Sequence, residues 1–231
     1  MKRFYQDVVV GTEADGFTVL LDGKPLRTPA RRVLILPTPE LAEAVADEWR
    51  QQGETLQPLA MRVTKLATTA VDLMPARRGD AIEEVAGYAA TDLLCHRAPH
   101  PSNLVARQAT AWQPWLDWAE RQHDARLVPA NGIMPVAQPE PALRALRAAV
   151  ERLGDWRLVG LHAATTLLGS LVLGLAFERG VLDSETAFTT ALLDELFEIE
   201  QWGEDEEQTR RHVRLRADLA AADRYLRLLP G

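Results

Sequence analysis

A dense run of carboxylates is the feature of this sequence with the most evident chemical potential. Ten Asp and Glu residues, and neither Lys nor Arg, lie between Asp183 and Glu207. Like charges at this density repel one another unless a partner relieves them. The next segment holds cations that could do so from inside the protein: Arg210, Arg211, Arg214, Arg216, Arg224 and Arg227. Without those contacts, a second protein would have to supply the positive charge.

Within this run, Glu195 stands out by its spacing. It lies seven residues after Phe188 and four before Ile199, and Trp202 follows seven residues later. In a helix, this spacing places all four residues on one apolar face. Glutamate is rarely buried without a partner, so Glu195 needs an internal or an external one. A carboxylate beside aromatic groups suits recognition of an Arg or of backbone amides on another protein.

A second group of candidates would support an enzyme instead. Asp92, Cys95 and His96 could form a thiol or metal site, which keeps a small hydrolase open as the alternative function. One Cys beside one His is too few for a metal-ligand set, and a packed thiol next to an exposed His is the more ordinary interpretation. The sequence has no Gly-Lys-Ser/Thr phosphate loop, no nucleophile elbow and no His-Glu-x-x-His motif. We therefore predict no catalytic residue, no metal and no cofactor.

Composition limits the partners and the compartment. The net charge of −7 argues against a nucleic-acid or anionic-lipid binder, because those need a basic surface. The single cysteine excludes internal disulfides and indicates a reducing compartment. The first residues lack an apolar signal core. We expect a cytoplasmic protein of a bacterium, or a processed form in the mitochondrial matrix.

The elements that must position these residues are mostly helical. Residues 158–177 carry no charged side chain and are long enough to cross a bilayer. Amphipathic segments on both sides could enclose them, and no second apolar run exists, so a buried central helix is favoured over a membrane span. His162 is then expected to be a hydrogen-bonded core residue. Within the helical region, the longest break runs from Pro129 to Pro141.

Strand patterns are confined to the start of the chain. Segments 4–10, 17–21, 26–29 and 33–37 are rich in strand-forming residues, and Asp-Gly pairs separate some of them. They predict a small antiparallel sheet over about residues 3–36. Thr38 and Pro39 then mark a helix start. The fold class is therefore α+β, with a β-rich domain of one or two helices over residues 1–75 and an α-helical domain over residues 76–231.

Several ordered motifs resemble one protein family. They are Arg3-Phe4-Tyr5, Leu21-Asp-Gly-Lys-Pro-Leu-Arg-Thr-Pro29, Leu41-Ala-Glu-Ala-Val-Ala-Asp-Glu-Trp49, Thr64-Lys-Leu-Ala-Thr-Thr-Ala-Val-Asp72, Tyr88-Ala-Ala-Thr-Asp-Leu-Leu-Cys95, Trp112-Gln-Pro-Trp-Leu-Asp-Trp-Ala119 and Glu200-Gln-Trp-Gly203. Each is weak alone, but the ordered set spans nearly the whole chain. It resembles the ATP synthase alpha-subunit assembly chaperones of mitochondria and alphaproteobacteria.

The resemblance implies a molecular chaperone without enzymatic activity. It would bind the unassembled alpha subunit of the F-type ATP synthase head and prevent its aggregation until the beta subunit pairs with it. In the family, an acidic position shortly before the Trp-Gly pair matters for function. That position falls on Asp194 or Glu195, and the face argument favours Glu195. The implied partner-binding set is Asp194, Glu195, Trp202, Gly203, Glu206 and Trp49, with Trp49 either a contact or a folding residue.

Overall fold

The N-terminal sheet has three antiparallel strands in the computed structural model, which describes residues 1–132 and 136–230. The strands are β1 (Val8–Glu13), β2 (Gly16–Leu21) and β3 (Lys24–Pro25), in sheet order β1-β2-β3. β1 begins later than the residue pattern suggests, because the backbone N–H groups of Gln6 and Asp7 donate to the carboxylate of Asp22 instead of to a strand. The predicted sheet is confirmed in outline, but its third strand lies at Lys24–Pro25 instead of residues 26–29, where Arg27 forms only an isolated bridge to Val33.

The expected fourth strand at residues 33–37 is wrong. This segment makes only isolated bridges, because it passes from one neighbour to another. The N–H of Leu34 donates to the carbonyl of Leu26, whereas the N–H of Leu36 donates to the carbonyl of Phe17 on β2. A regular ladder needs consecutive bonds to one partner strand. Both leucines are nevertheless fully buried, so the segment still contributes to the core.

Ten α-helices lie within residues 1–132 and 136–230. They are α1 (Pro39–Arg50), α2 (Arg62–Asp72), α3 (Met74–Gly87), α4 (Ser102–His123), α5 (Glu140–Glu151), α6 (Asp155–Leu168), α7 (Leu171–Glu178), α8 (Ser184–Ala191), α9 (Leu193–Trp202) and α10 (Glu206–Arg227). Two short strands, β4 (His96–Arg97) and β5 (Ala130–Asn131), pair in parallel. Residues 133–135 of the predicted loop lie outside the described residues. The helix start at Thr38 is confirmed, since its hydroxyl accepts the N–H of Leu41.

The apolar stretch 158–177 is mostly buried, as predicted, but one face of it is open and it forms two helices instead of one. α6 ends where Gly169 adopts a left-handed φ of 66°, and Ser170 caps α7 by accepting the N–H of Leu173 at 3.0 Å. The carboxylate of Asp92 accepts the N–H of Val172 at 3.1 Å and so stabilises the start of α7. Within the described ranges, no helix has both the length and the apolarity to cross a membrane.

Two features of the helices differ from what residue type alone suggests. α4 runs through Pro114 as one helix, although proline lacks the N–H that a helix interior uses. The lost hydrogen bond is offset by packing, because Trp112 and Leu116 of the same helix are buried. His162 is not a core residue, since a third of its side chain is exposed and its Nε2 lies 3.1 Å from Glu84.

One hydrophobic core connects the N-terminal sheet with the helices, and it extends from Tyr5 to Leu229. The apolar stripe of α10, which comprises Leu215, Leu219, Ala222 and Leu226, is buried, and the hydroxyl of Thr38 donates to the carbonyl of Leu228 near the end of the chain. The α+β fold class is confirmed. The division at residue 75 remains a prediction.

Candidate functional site

The predicted site residues other than Trp49 lie in one region of the structure. We call this region the acidic flank and define it as α9, the loop 203–205 and the first two turns of α10. α9 ends at Gly203, whose φ of 87° suits glycine and whose N–H donates to Ile199. Asp205 starts α10 with a capping box, because its side chain accepts the N–H of Gln208 while the Gln208 side chain accepts the N–H of Asp205. Both ends of the short loop are therefore defined by local sequence.

Glu195 has internal partners. Its Oε1 lies 2.8 Å from Nε2 of His212, and its Oε2 forms an ion pair with Arg211. The Glu195 side chain is 22% exposed. Partial burial alone would raise the pKa of Glu195, but the hydrogen bonds from Arg211 and His212 outweigh it and hold that pKa below its ordinary value. Glu195 is therefore a paired carboxylate at physiological pH.

His212 connects three parts of this region. The ring is 4% exposed, and its second nitrogen, Nδ1, lies 2.9 Å from the carboxylate of Glu204 in the loop. The Phe188 ring on α8 packs against it in a T-shaped arrangement, with 5.4 Å between ring centroids. Because carboxylates only accept, both contacts are hydrogen bonds when each ring nitrogen carries a proton. His212 thus joins α8, α9 and the loop to α10.

Other carboxylates of the run also have internal partners. Arg216 pairs with Glu185 at 3.1 Å, and Arg210 pairs with Glu206 at 2.7 Å. Ion pairs with arginines of α10 therefore neutralise part of the negative charge of the acidic run. Glu200 pairs instead with an arginine of α4, Arg107. The sequence analysis did not single out Arg107, His212 or Glu204, because no motif or periodicity marks them.

Trp202 is the exposed aromatic residue of the acidic flank, with 79% of its surface open to solvent. It was expected on the same face as Phe188, and this is wrong because Phe188 is fully buried. The backbone of Leu192, with φ −98° and ψ 19°, separates α8 from α9 and interrupts the helical phase. Val213 on α10 is also exposed, at 63%. Large exposed aromatic groups beside charged residues are typical of protein-contact surfaces.

Asp194 and Glu195 face different helices although they are neighbours. The Asp194 carboxylate accepts from the side-chain amide of Gln108 on α4 at 2.7 Å. Gln108 is itself buried and accepts the N–H of Ala98. Asp194 therefore connects α9 to α4, whereas Glu195 connects α9 to α10.

Trp49 lies apart from the acidic flank. It is 9% exposed in α1, its ring centroid is 5.5 Å from that of Tyr5, and its carbonyl accepts the Tyr5 hydroxyl at 2.7 Å. These contacts support a folding role for Trp49. The structure thus brings five of the six predicted partner-binding residues to one region and leaves Trp49 in the core.

The group at Asp92, Cys95 and His96 does not have the geometry of a catalytic site. Asp92 is fully buried, and its carboxylate accepts backbone N–H groups of Leu94 and Val172. Burial, with the nearby charge of Asp92, raises the pKa of the Cys95 thiol to about 12, so the thiolate is scarce. His96 is exposed. Across the part of the chain that the structure describes, no cluster of three or more His, Cys, Asp or Glu residues is placed to hold a metal.

Comparison with known proteins agrees with the resemblance found in the sequence. Residues 2–120 match the family model of the ATP12 chaperone protein. The mitochondrial protein atp12 of Schizosaccharomyces pombe is 20% identical over 214 residues, which is 87% of this chain and 74% of that protein.

Two crystal structures share the whole fold. Atp12 from Paracoccus denitrificans has a TM-score of 0.92 and 39% identity, over 98% of this chain and 97% of that one. A protein of Agrobacterium tumefaciens has a TM-score of 0.94 and 41% identity, over 99% of this chain and 86% of that one. The chain therefore belongs to the ATP12 chaperone protein family, and it is a chaperone of F1 ATP synthase assembly, not an enzyme.

Proposed function

We propose that this protein binds the unassembled alpha subunit of the F1 head and prevents its aggregation until the beta subunit replaces it. The observation that carries the proposal is the position of Trp202, which is 79% exposed at the end of α9, directly before the acidic loop. An exposed indole within a polar rim is the residue type that most often dominates binding between proteins. Family membership supplies the class of client.

Within this proposal, contact and support are divided among the residues of the acidic flank. Trp202 and Gly203 are exposed and can touch the client directly. Glu195 is mostly covered by Arg211 and His212, so it acts chiefly by holding α9 against α10. Asp194 does the same toward α4 through Gln108. Glu206 is exposed, and its pair with Arg210 at the surface can open when a client cation approaches.

Chaperone action of this kind needs no chemical energy. A subunit that lacks its partner exposes apolar interface surface and aggregates. A protein that covers this surface withdraws the subunit from aggregation by mass action, and it leaves when the true partner binds more tightly. We place this exchange in the bacterial cytoplasm or, for a processed form, in the mitochondrial matrix, without stable insertion into the membrane.

Co-expression of the tagged chain with either F1 subunit tests the proposal. We expect the alpha subunit to co-purify in a stoichiometric complex and the beta subunit not to do so. Light scattering of freshly diluted alpha subunit should fall to near zero at equimolar chaperone, and addition of beta subunit should release the chaperone. Capture of beta but not alpha would assign the chaperone to the other subunit.

A further inference from the structure

The structure contains a second open surface, away from the loop at residues 203–205. It is a groove of about 470 Å³ whose walls are α2, α3 and α10 and whose floor is α6. The floor comes from the most apolar part of the sequence and includes Val159, Ala163 and Leu167. Thr166 lies in the same groove and is exposed. The apolar central segment is thus covered on all but one side.

Charged side chains surround this apolar floor, and most of them are paired with one another. Arg62 pairs with Asp218 at 2.5 Å, and Arg77 pairs with Asp80 at 3.3 Å. Lys65 is different, because it is exposed on α2 and forms no ion pair with any described residue. Glu84 lines the same groove and lies 3.1 Å from Nε2 of His162, so Lys65 is the lining cation that has no carboxylate partner among the described residues.

The walls restrict the shape of an occupant. They are helices, and no strand edge is among the groove-lining residues that the structure describes, so an added strand would have no backbone partner. Side chains of a further helix can pack between the ridges of the existing ones. We infer that this groove binds an amphipathic helix of the client polypeptide, with its apolar face on α6 and an Asp or Glu opposite Lys65.

The inference deepens the proposed function and rests on it. α10 connects the two surfaces, because Arg211 and His212 support the acidic flank while Asp218 and Ala222 line the groove. Seven residues separate Arg211 from Asp218, which is about 10 Å along a helix. One client can therefore cover both surfaces along α10.

Filling the groove tests the inference. Thr166→Trp places an indole over the floor from an exposed position, and we expect it to lower the alpha subunit captured per chaperone by at least about ten-fold. Ala220→Trp is the matched control, because Ala220 is exposed on α10 and does not line the groove. It should capture as the wild type does. Circular dichroism and the thermal midpoint show that both variants are folded.

The charge is tested in the same assay. Lys65→Glu should reduce capture about five-fold at low salt and less at high salt, because the pair lies at the surface. Lys24→Glu, also exposed but on β3, should have no effect.

A fluorescent fatty acid is the probe for a lipid ligand of the groove. If Thr166→Trp captured the alpha subunit at the wild-type level and lost only its binding of this probe, the inference would be overturned and the groove would bind a lipid. Failure of the wild type to capture the alpha subunit would overturn the proposed function itself, whereas capture at the wild-type level by both Trp variants would overturn only the inference that the groove binds the client.

Discussion

The carboxylate of Glu195 and the imidazole of His212 lie 2.8 Å apart, although seventeen residues separate them in the chain. The contact joins α9 to α10, and the other ring nitrogen of His212 extends it to Glu204 in the connecting loop. The exposed Trp202 lies on the segment between these contacts. The position of the proposed contact residue therefore depends on a polar network that is mostly hidden from solvent.

Charge reversal at Glu195 should destabilise the fold. A lysine there would face Arg211 and leave His212 without an acceptor, and an unmatched polar group in a partly buried site costs about 1–3 kcal/mol. We expect Glu195→Lys to lower the free energy of unfolding by that amount in urea titrations.

The matched control for this variant is Glu198→Lys, since Glu198 is exposed on the same helix. Its effect on stability should be within about 0.5 kcal/mol. If both lysine variants were equally stable, the contacts of Glu195 with Arg211 and His212 would contribute nothing to the fold.

The contacts of Glu195 with Arg211 and His212 should also make the free energy of unfolding depend on pH in the acid range. The pKa of Glu195 is lower in the folded protein than its ordinary value of 4.5, so the folded state binds fewer protons than the unfolded state between the two values. This contribution is present above pH 4.5 and is lost as the pH falls through the folded pKa. In urea titrations from about pH 7 to 3, the stability difference between wild type and Glu195→Gln should shrink below that point. A stability difference that stays constant with pH would contradict a lowered pKa of Glu195 in the folded protein.

Trp202 should matter for binding and not for stability. Because its side chain is mostly in water, Trp202→Ala should change the free energy of unfolding by less than about 0.5 kcal/mol. The Trp202→Ala variant should bind the alpha subunit more weakly, by about 2 kcal/mol in binding free energy, as expected for a central aromatic contact. Leu59→Ala is the control, because Leu59 is also highly exposed, at 89%, but lies between α1 and α2 and outside the acidic flank. This variant should capture the alpha subunit as the wild type does.

A glycine of the central helix should resist substitution although alanine is the better helix former. A Cβ on Gly160 would lie 2.6 Å from Cγ of Leu226 on α10. We expect Gly160→Ala to destabilise the protein by about 1–3 kcal/mol through this overpacking. Gly79→Ala on α3 meets nothing within 4 Å and should instead be stabilising by about 0.5–1 kcal/mol. Thermal midpoints of the two variants should therefore move in opposite directions.

Cys95 should be unreactive in the native protein. Its thiol is buried with a raised pKa, so a thiol reagent at about pH 8 should modify it only after local or global unfolding. Labelling followed by mass spectrometry, with and without urea, measures this. Fast labelling of the folded chain would contradict the buried geometry and would reopen the thiol-site alternative.

Local patterns were sufficient for much of the fold. The hairpin segments, the cap at Thr38 and the apolar stripe of α10 depend on neighbouring residues, whose periodicity and turn chemistry are visible in the sequence. The ordered motifs were sufficient for the family. The burial of residues 158–177 also followed from sequence, because a stretch without charge must be enclosed by something.

Contacts between distant residues decided the rest. The start of α7 is stabilised by Asp92, which lies 80 residues from Val172 in the chain and still accepts its N–H. The partners of Glu195 and Glu200 come from two other helices, α10 and α4, and the groove exists only because α2, α3 and α10 leave one face of α6 uncovered. Helical periodicity gives the face on which a residue lies within its own helix. Which other helix covers that face is determined by packing of the whole chain, and only the tertiary structure shows it.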